Sequence, residues 1–145
     1  MFINELNKKE AVHFINLFQS LANADESFAE SEEELLMEYM EELSVNKEDI
    51  KVTSFNNSVE CLKQCNDRIK NIIYFELLGL ALTDGSYDKR EIDLLNNIAN
   101  EFSISSSKQK DFLDYFKRLN ELYNSDFFNF EGKIQSLKEE AEKLI

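Results

Sequence analysis

The sequence predicts an all-α fold in a single domain, residues 1–145, on three observations. The 145 residues contain no proline and only three glycines, Gly79, Gly85 and Gly132, fewer turn-formers than strand-rich domains need. Apolar residues recur at i, i+3 and i+4 spacing through almost every segment, the mark of helices with one buried face. A unit of helix, acidic loop and helix is also written twice, at an offset of 59 residues. A chain of this length buries roughly 68–70% of its unfolded surface. With 43% apolar residues, including twelve Phe and five Tyr, it has the bulk for a core.

The opening NELNKKEAVHFINLFQSLANA reads as the first helix. Asn7 followed by Glu10 makes an N-terminal box, with Asn4 as the alternative cap, and Phe14, Leu17, Phe18 and Leu21 form the core stripe. After the loop at 25–30, Ser31-x-x-Glu34 starts a second helix carrying Leu35, Leu36, Tyr39, Met40 and Leu43. Asn46 to Cys65 holds one or two short helices around Ile50, Phe55, Val59 and Leu62. Next comes NDRIKNIIYFELLGLALT, apolar nearly all round, with Ile69, Ile72, Ile73, Phe75, Leu77, Leu80 and Ala81. It is expected to be the most buried element. Asp88 and Glu91 cap a helix to about Glu101, with Ile92, Leu94, Leu95, Ile98 and Phe102 inward. Serines 105–107 open another, with Phe112, Tyr115, Phe116, Leu119 and Leu122 at helical spacing. The apolar knot FFNF (127–130) leads into a terminal helix, about 131–145, with Ile134, Leu137, Ala141 and Leu144. About seven helices result, and no Ser/Thr/Pro linker divides them.

The repeat aligns Leu21–Val45 with Leu80–Ile104. Asp25 matches Asp84, Ser27 matches Ser86, Phe28 matches Tyr87, Glu32 matches Glu91, and EELSV matches NEFSI. In the second copy Gly85 follows a helix end, where glycine turns through the left-handed region without steric cost. Asp84 sits on the last helical turn, where the helix dipole disfavours negative charge, so loop amides or a cation should compensate it. Two readings of the loop stand side by side. In one, Asp88 as N-cap and Glu91 at the third helical position satisfy the amides of the next helix, and the motif is a tight connection. In the other, Asp84, Ser86 and Glu91, and more loosely Asp25, Ser27 and Glu32, supply oxygen ligands for Ca²⁺ or Mg²⁺. The Asp-to-Glu spacing is too short for an EF-hand, whose Glu belongs at loop position 12; that position is leucine in both copies.

At these residues the chain resembles the TerB-like family, helical domains named after bacterial tellurite-resistance proteins. LALTDGSYDKREIDLL carries the likeness, and LANADESFAESEEELL repeats it more loosely. The resemblance spans about residues 10–122 and leaves the terminal helix outside. It implies an all-helical, internally duplicated fold, a cytoplasmic location, and divalent-cation binding by the loop acids in a system linked to tellurite and other stress at the membrane. Carried over by position, the implied cation residues are Asp25 and Glu32, then Asp84 and Glu91. The first loop departs from the pattern. Glu26 stands where glycine is favoured, and Ala29 stands at the position of Asp88.

Composition narrows the function classes. The formal net charge is −13, a field that repels polyphosphates, and the sixteen Lys and Arg residues form no basic stripe, so no nucleic-acid partner is expected. Eleven acidic residues and one lysine lie between Asp25 and Asp49, read as a solvated helix face or as a surface for a cation or basic partner. No apolar run approaches the roughly 20 residues of a membrane span, and no secretory segment opens the chain, which predicts a soluble cytoplasmic protein. Cys61 and Cys65, one helical turn apart, lack the further ligands of a zinc site and read as small buried thiols. His13 is the only histidine, and its expected role is packing. With no phosphate-binding loop, nucleophile elbow or metalloprotease motif, an enzyme is not expected. A protein partner is, either at the loops or through the FFNF aromatics and terminal helix. A homodimer and a membrane-associated partner stay open.

Overall fold

The computed structural model describes residues 2–24, 30–50, 53–83, 88–123 and 130–145, and among them are seven α-helices and no strand. The helices are α1 (Lys8–Ala22), α2 (Glu30–Glu42), α3 (Phe55–Leu62), α4 (Asp67–Thr83), α5 (Lys89–Glu101), α6 (Ser106–Tyr123) and α7 (Phe130–Leu144). Short 3-10 turns at Ile3–Glu5 and Lys47–Asp49 complete the list. The all-α expectation holds, and so does the rank of α4. Ile69, every residue from Asn71 to Leu78, Leu80 and Ala81 are all buried. Helix α1 packs against α2, α3, α4 and α5; α4 also meets α5, α6 and the first 3-10 turn; α6 carries α7 on its other side.

Aromatic rings fill the space around α4. Phe75 lies 5.8 Å from Phe2, 5.9 Å from Phe112, 5.3 Å from Tyr115 and 4.7 Å from Phe116 between ring centroids. A second cluster joins Phe14 and Phe18 of α1 to Tyr39 of α2, at 5.7 and 5.5 Å. Helix α6 approaches closely because Gly79 has no side chain: a Cβ there would lie 2.9 Å from Cζ of Phe116. The terminal helix is held by Ala141, fully buried, and by charge. Arg68 of α4 grips Glu5 with two bonds of 2.7 Å and reaches Glu142 of α7 at 3.0 Å, while Arg118 pairs with Glu140. These groups are largely solvent-exposed, so the pairs orient α7 more than they stabilise it.

Helix boundaries recur at the sequence offset. Helices α1 and α4 begin at Lys8 and Asp67, and α2 and α5 run Glu30–Glu42 and Lys89–Glu101, each pair 59 residues apart. The shared pentapeptides EELSV and NEFSI end α2 and α5 in one way. Ser44 and Ser103 adopt φ of 53° and 56°. The next amides, of Val45 and Ile104, turn back to the carbonyls of Met40 and Ala99, both at 2.9 Å. This is a left-handed helix stop with its apolar plug, since Val45 and Ile104 are themselves buried. Helix starts follow the sequence signals at Asn7–Glu10, a complete capping box, and at Ser105, whose Oγ accepts the Lys108 amide. One start differs: α2 begins at Glu30, two residues before the Glu32 start that a Ser31 cap would give, a shift within the usual spread of helix ends.

Serine in the left-handed region carries a steric cost that glycine avoids. Ser44→Gly and Ser103→Gly are each expected to stabilise the fold, by about 1 kcal/mol at most, with matching shifts in urea midpoint. For Gly79 the background decides the sign. Gly79→Ala should destabilise the wild-type chain by forcing the Phe116 ring off Phe75. In a Phe116→Ala background it should stabilise, by up to about 1 kcal/mol of helix propensity. A double-mutant cycle showing no coupling would refute the close approach.

Candidate functional site

The two acidic loops are connected to α1, α2, α4 and α5, and the described residues at their edges meet. Arg90, in the first turn of α5, donates from Nη1 to the carbonyl of Ala24, just past the end of α1, at 3.1 Å. The chain entering the first loop and the chain leaving the second therefore share one end of the molecule. Asp25, Ser27, Asp84 and Ser86, four of the six expected cation ligands, lie outside the described residues, as does Gly85. The other two are placed. Glu32 and Glu91 occupy equivalent first-turn positions in α2 and α5, and both are buried, at 9% and 3% exposure. For two acids on the surface turns of an acidic chain, that burial singles them out.

Local chemistry explains Glu91. Asp88 is the N-cap of α5, with extended backbone, and its Oδ1 accepts the Arg90 amide at 2.7 Å. Glu91 reaches back so that its Oε2 accepts the Asp88 amide at 3.2 Å. Both carboxylates also face the positive end of the helix dipole. The capping reading of Asp88 and Glu91 is thus realised in the structure. Glu32 has no such box in sequence, because Ala29 stands where Asp88 does. Among the described residues, no group of three or more His, Cys, Asp or Glu is arranged to hold a metal ion.

Three polar positions escaped the sequence reading. Glu76, in the middle of α4, is buried; its Oε1 accepts the Phe2 amide at 2.8 Å and its Oε2 accepts the Tyr39 hydroxyl at 3.1 Å. Burial first, and the Glu76 charge second, push the Tyr39 phenol well above its ordinary range. A lone acid in the apolar run NIIYFELLGLAL was the available signal. The other two are Asn16 and Ser58, buried between α1 and α3. Nδ2 of Asn16 donates to the Thr53 carbonyl at 3.1 Å and to Oγ of Ser58 at 2.9 Å, and Nδ1 of His13 lies 3.0 Å from that same Oγ. His13 is half-buried, as expected, but it joins a polar network rather than an apolar contact.

The cysteines need a correction. Helix α3 ends at Leu62, so Cys61 is helical while Cys65 lies in the turn beyond, and the two do not share a helix face. Both are free and half-buried rather than buried. Burial, reinforced by Glu10, whose Oε1 accepts from Cys65 Sγ at 3.5 Å, pushes the Cys65 thiol up to about 11. It is protonated at neutral pH and a poor nucleophile or metal ligand. Among the described residues, no helix is long and apolar enough to cross a membrane. No protein-family model, curated protein or solved structure matches the chain.

Asp88→Ala should cost about 1 kcal/mol through loss of the cap, whereas Glu91→Gln, which keeps an acceptor oxygen, should cost less than Glu91→Ala in urea unfolding. The imidazole gives a pH prediction. Burial first, then the charge of Lys9, lower the pKa of His13 from 6.5. As pH falls below that value the unfolded chain takes up the proton before the folded one, so the contribution is full above pH 6.5 and is lost through the lower folded value. Melting between pH 7.5 and 5.5 should therefore fall more steeply in the wild type than in His13→Asn.

Proposed function

We propose that the chain is a non-enzymatic, internally duplicated interaction domain of the TerB-like kind, acting in the cytoplasm within a tellurite- or stress-linked system. Its functional end is the pair of acidic loops. The observation that carries this reading is the burial of Glu32 and Glu91 at equivalent helix starts, beside loops whose flanks are joined by Arg90 and Ala24. Matching helix boundaries and matching Ser44 and Ser103 stops support the duplication. Two side chains support the non-enzymatic part: the Ser58 hydroxyl, next to His13, is completely buried, and the Cys65 thiol is held protonated.

Within this reading the side-chain oxygens of Asp84, Ser86 and Glu91, with Asp25, Ser27 and Glu32, take up Ca²⁺ or Mg²⁺ weakly. The second loop is taken as the stronger because its sequence has Gly85 where the first has Glu26. The partner is a protein, approached through the loop end. A second reading rests on the capping box of Asp88 and Glu91: the acids only secure helix starts, and binding falls to an apolar surface.

Metal titration separates the two. A cation bound only by the folded state at 100 times its dissociation constant adds about 2.7 kcal/mol. At roughly 2–4 °C per kcal/mol for a domain of this size, melting should rise by about 5–11 °C, at ionic strength matched with a monovalent salt. Asp84→Asn with Glu91→Gln should abolish the rise. A shift that never appears, or that survives both substitutions, leaves the capping reading.

A further inference from the structure

Basic side chains gather at an open cleft of about 690 Å³, where Lys8, Lys9 and His13 of α1 face Thr53 and Asn57 at the entry to α3. The cleft lies at the start of α1, roughly 20 Å along the helix from the loop end. It exists because the two halves of the chain differ. Positions 59 later than Lys47–Leu62 run as uninterrupted α6, but here the chain makes a 3-10 turn at Lys47–Asp49 and restarts only at Phe55. Ser54 caps that restart, its side chain accepting the Asn57 amide.

We propose that this cleft binds a small organic oxyanion, a metabolite-sized molecule bearing one carboxylate or phosphoryl group. Its volume falls within the range of small-molecule sites, about 300–1,000 Å³. Asp49 also lines the cleft, and its carboxylate pairs with Lys8 at 3.3 Å, so Lys9 is the lining cation outside that pair. Behind the cleft, the buried pair Asn16 and Ser58 sets the imidazole. Asn16 must present Nδ2 because it donates to the Thr53 carbonyl, and the same amide donates to Oγ of Ser58. Nδ1 of His13 lies 3.0 Å from that Oγ; with the Ser58 proton given to Nδ1, the arrangement proposed, Nε2 carries the ring hydrogen. The imidazole N–H, Lys9, and the Asn57 amide with the Thr53 hydroxyl that accepts one of its hydrogens, with Val12 as an apolar wall, suit one oxyanion on an organic body. A polyphosphate would need more cations and would meet the net charge of −13. At physiological salt that repulsion is screened beyond about 8 Å, so the groups of the cleft decide.

Because His13 is the only histidine, its ring gives one unambiguous ¹H–¹³C signal in the histidine-labelled protein. The test titrates the full chain with sodium phosphate and, separately, sodium butyrate, at fixed pH and with ionic strength held by sodium chloride. The expected result is a saturable displacement of the His13 signal by at least one anion. Half-saturation should move to about tenfold higher concentration or more in Lys9→Gln, the loss of one charge-assisted bond, and stay unchanged in Lys110→Gln, an exposed lysine on α6. Saturation by phosphate alone assigns a phosphoryl ligand, and by butyrate alone a carboxylate. No saturable displacement by either anion, or one that Lys9→Gln leaves unaltered, overturns the proposal. Neither result bears on the loop end, where neither lysine lies.

Discussion

Helix α4 has almost no surface of its own, and the other helices are placed by the need to cover it. An uninterrupted buried run from Asn71 to Leu78 requires neighbours on every side, which α1, α5 and α6 supply. Phe75 sits among four aromatic rings, and Gly79 lets α6 lie close enough for Phe116 to be one of them. Burying a helix completely also buries Glu76. That carboxylate is tolerated where it accepts the Phe2 amide and the Tyr39 hydroxyl, because removing charge from water is costly unless hydrogen bonds replace the solvent. The same bonds fix the N-terminal turn and α2 onto α4.

Around that centre the chain uses one local design twice and then departs from it. The helix stops at Ser44 and Ser103 match in dihedral angle and in hydrogen bonding, each plugged by a buried apolar residue. The departures are where individual chemistry enters. Glu76 stands at the offset position of Leu17, so only one of the two central helices carries a buried acid. The stretch after the first stop breaks into a 3-10 turn and a short helix, while its counterpart continues as α6. Polar Thr53, Ser54, Asn56 and Asn57 favour caps and turns over helix interior, which explains the break. The break in turn opens the cleft in front of His13.

Helix existence was legible throughout, because periodicity and capping signals agree locally: Asn7 with Glu10, Asp88 with Glu91, and Ser105 all act where the pattern places them. The start of α2 was less legible, since Glu30, Ser31 and Glu32 all suit a first turn. For the candidate site, the pairing of Glu32 with Glu91 could be read from the offset, but their burial could not. An acid on a helix start is normally solvated, and its accessibility depends on what the neighbouring loop and helices cover. The C-x3-C spacing misled because one helix was assumed to continue through a position where the chain turns.

By itself, the sequence determined the helical class, the core stripes of α1 and α4, and the caps at Asn7, Asp88 and Ser105. Those are short-range matters of propensity, capping and period. Tertiary structure alone decided that Arg90 would meet Ala24, that Glu76 would join three segments, and that Asn16 and Ser58 would orient His13. Each of these contacts, 37 or more residues apart along the chain, depends on how helices cross, and a hydrogen-bond partner brought in from a distant helix leaves no period or motif in the sequence around it.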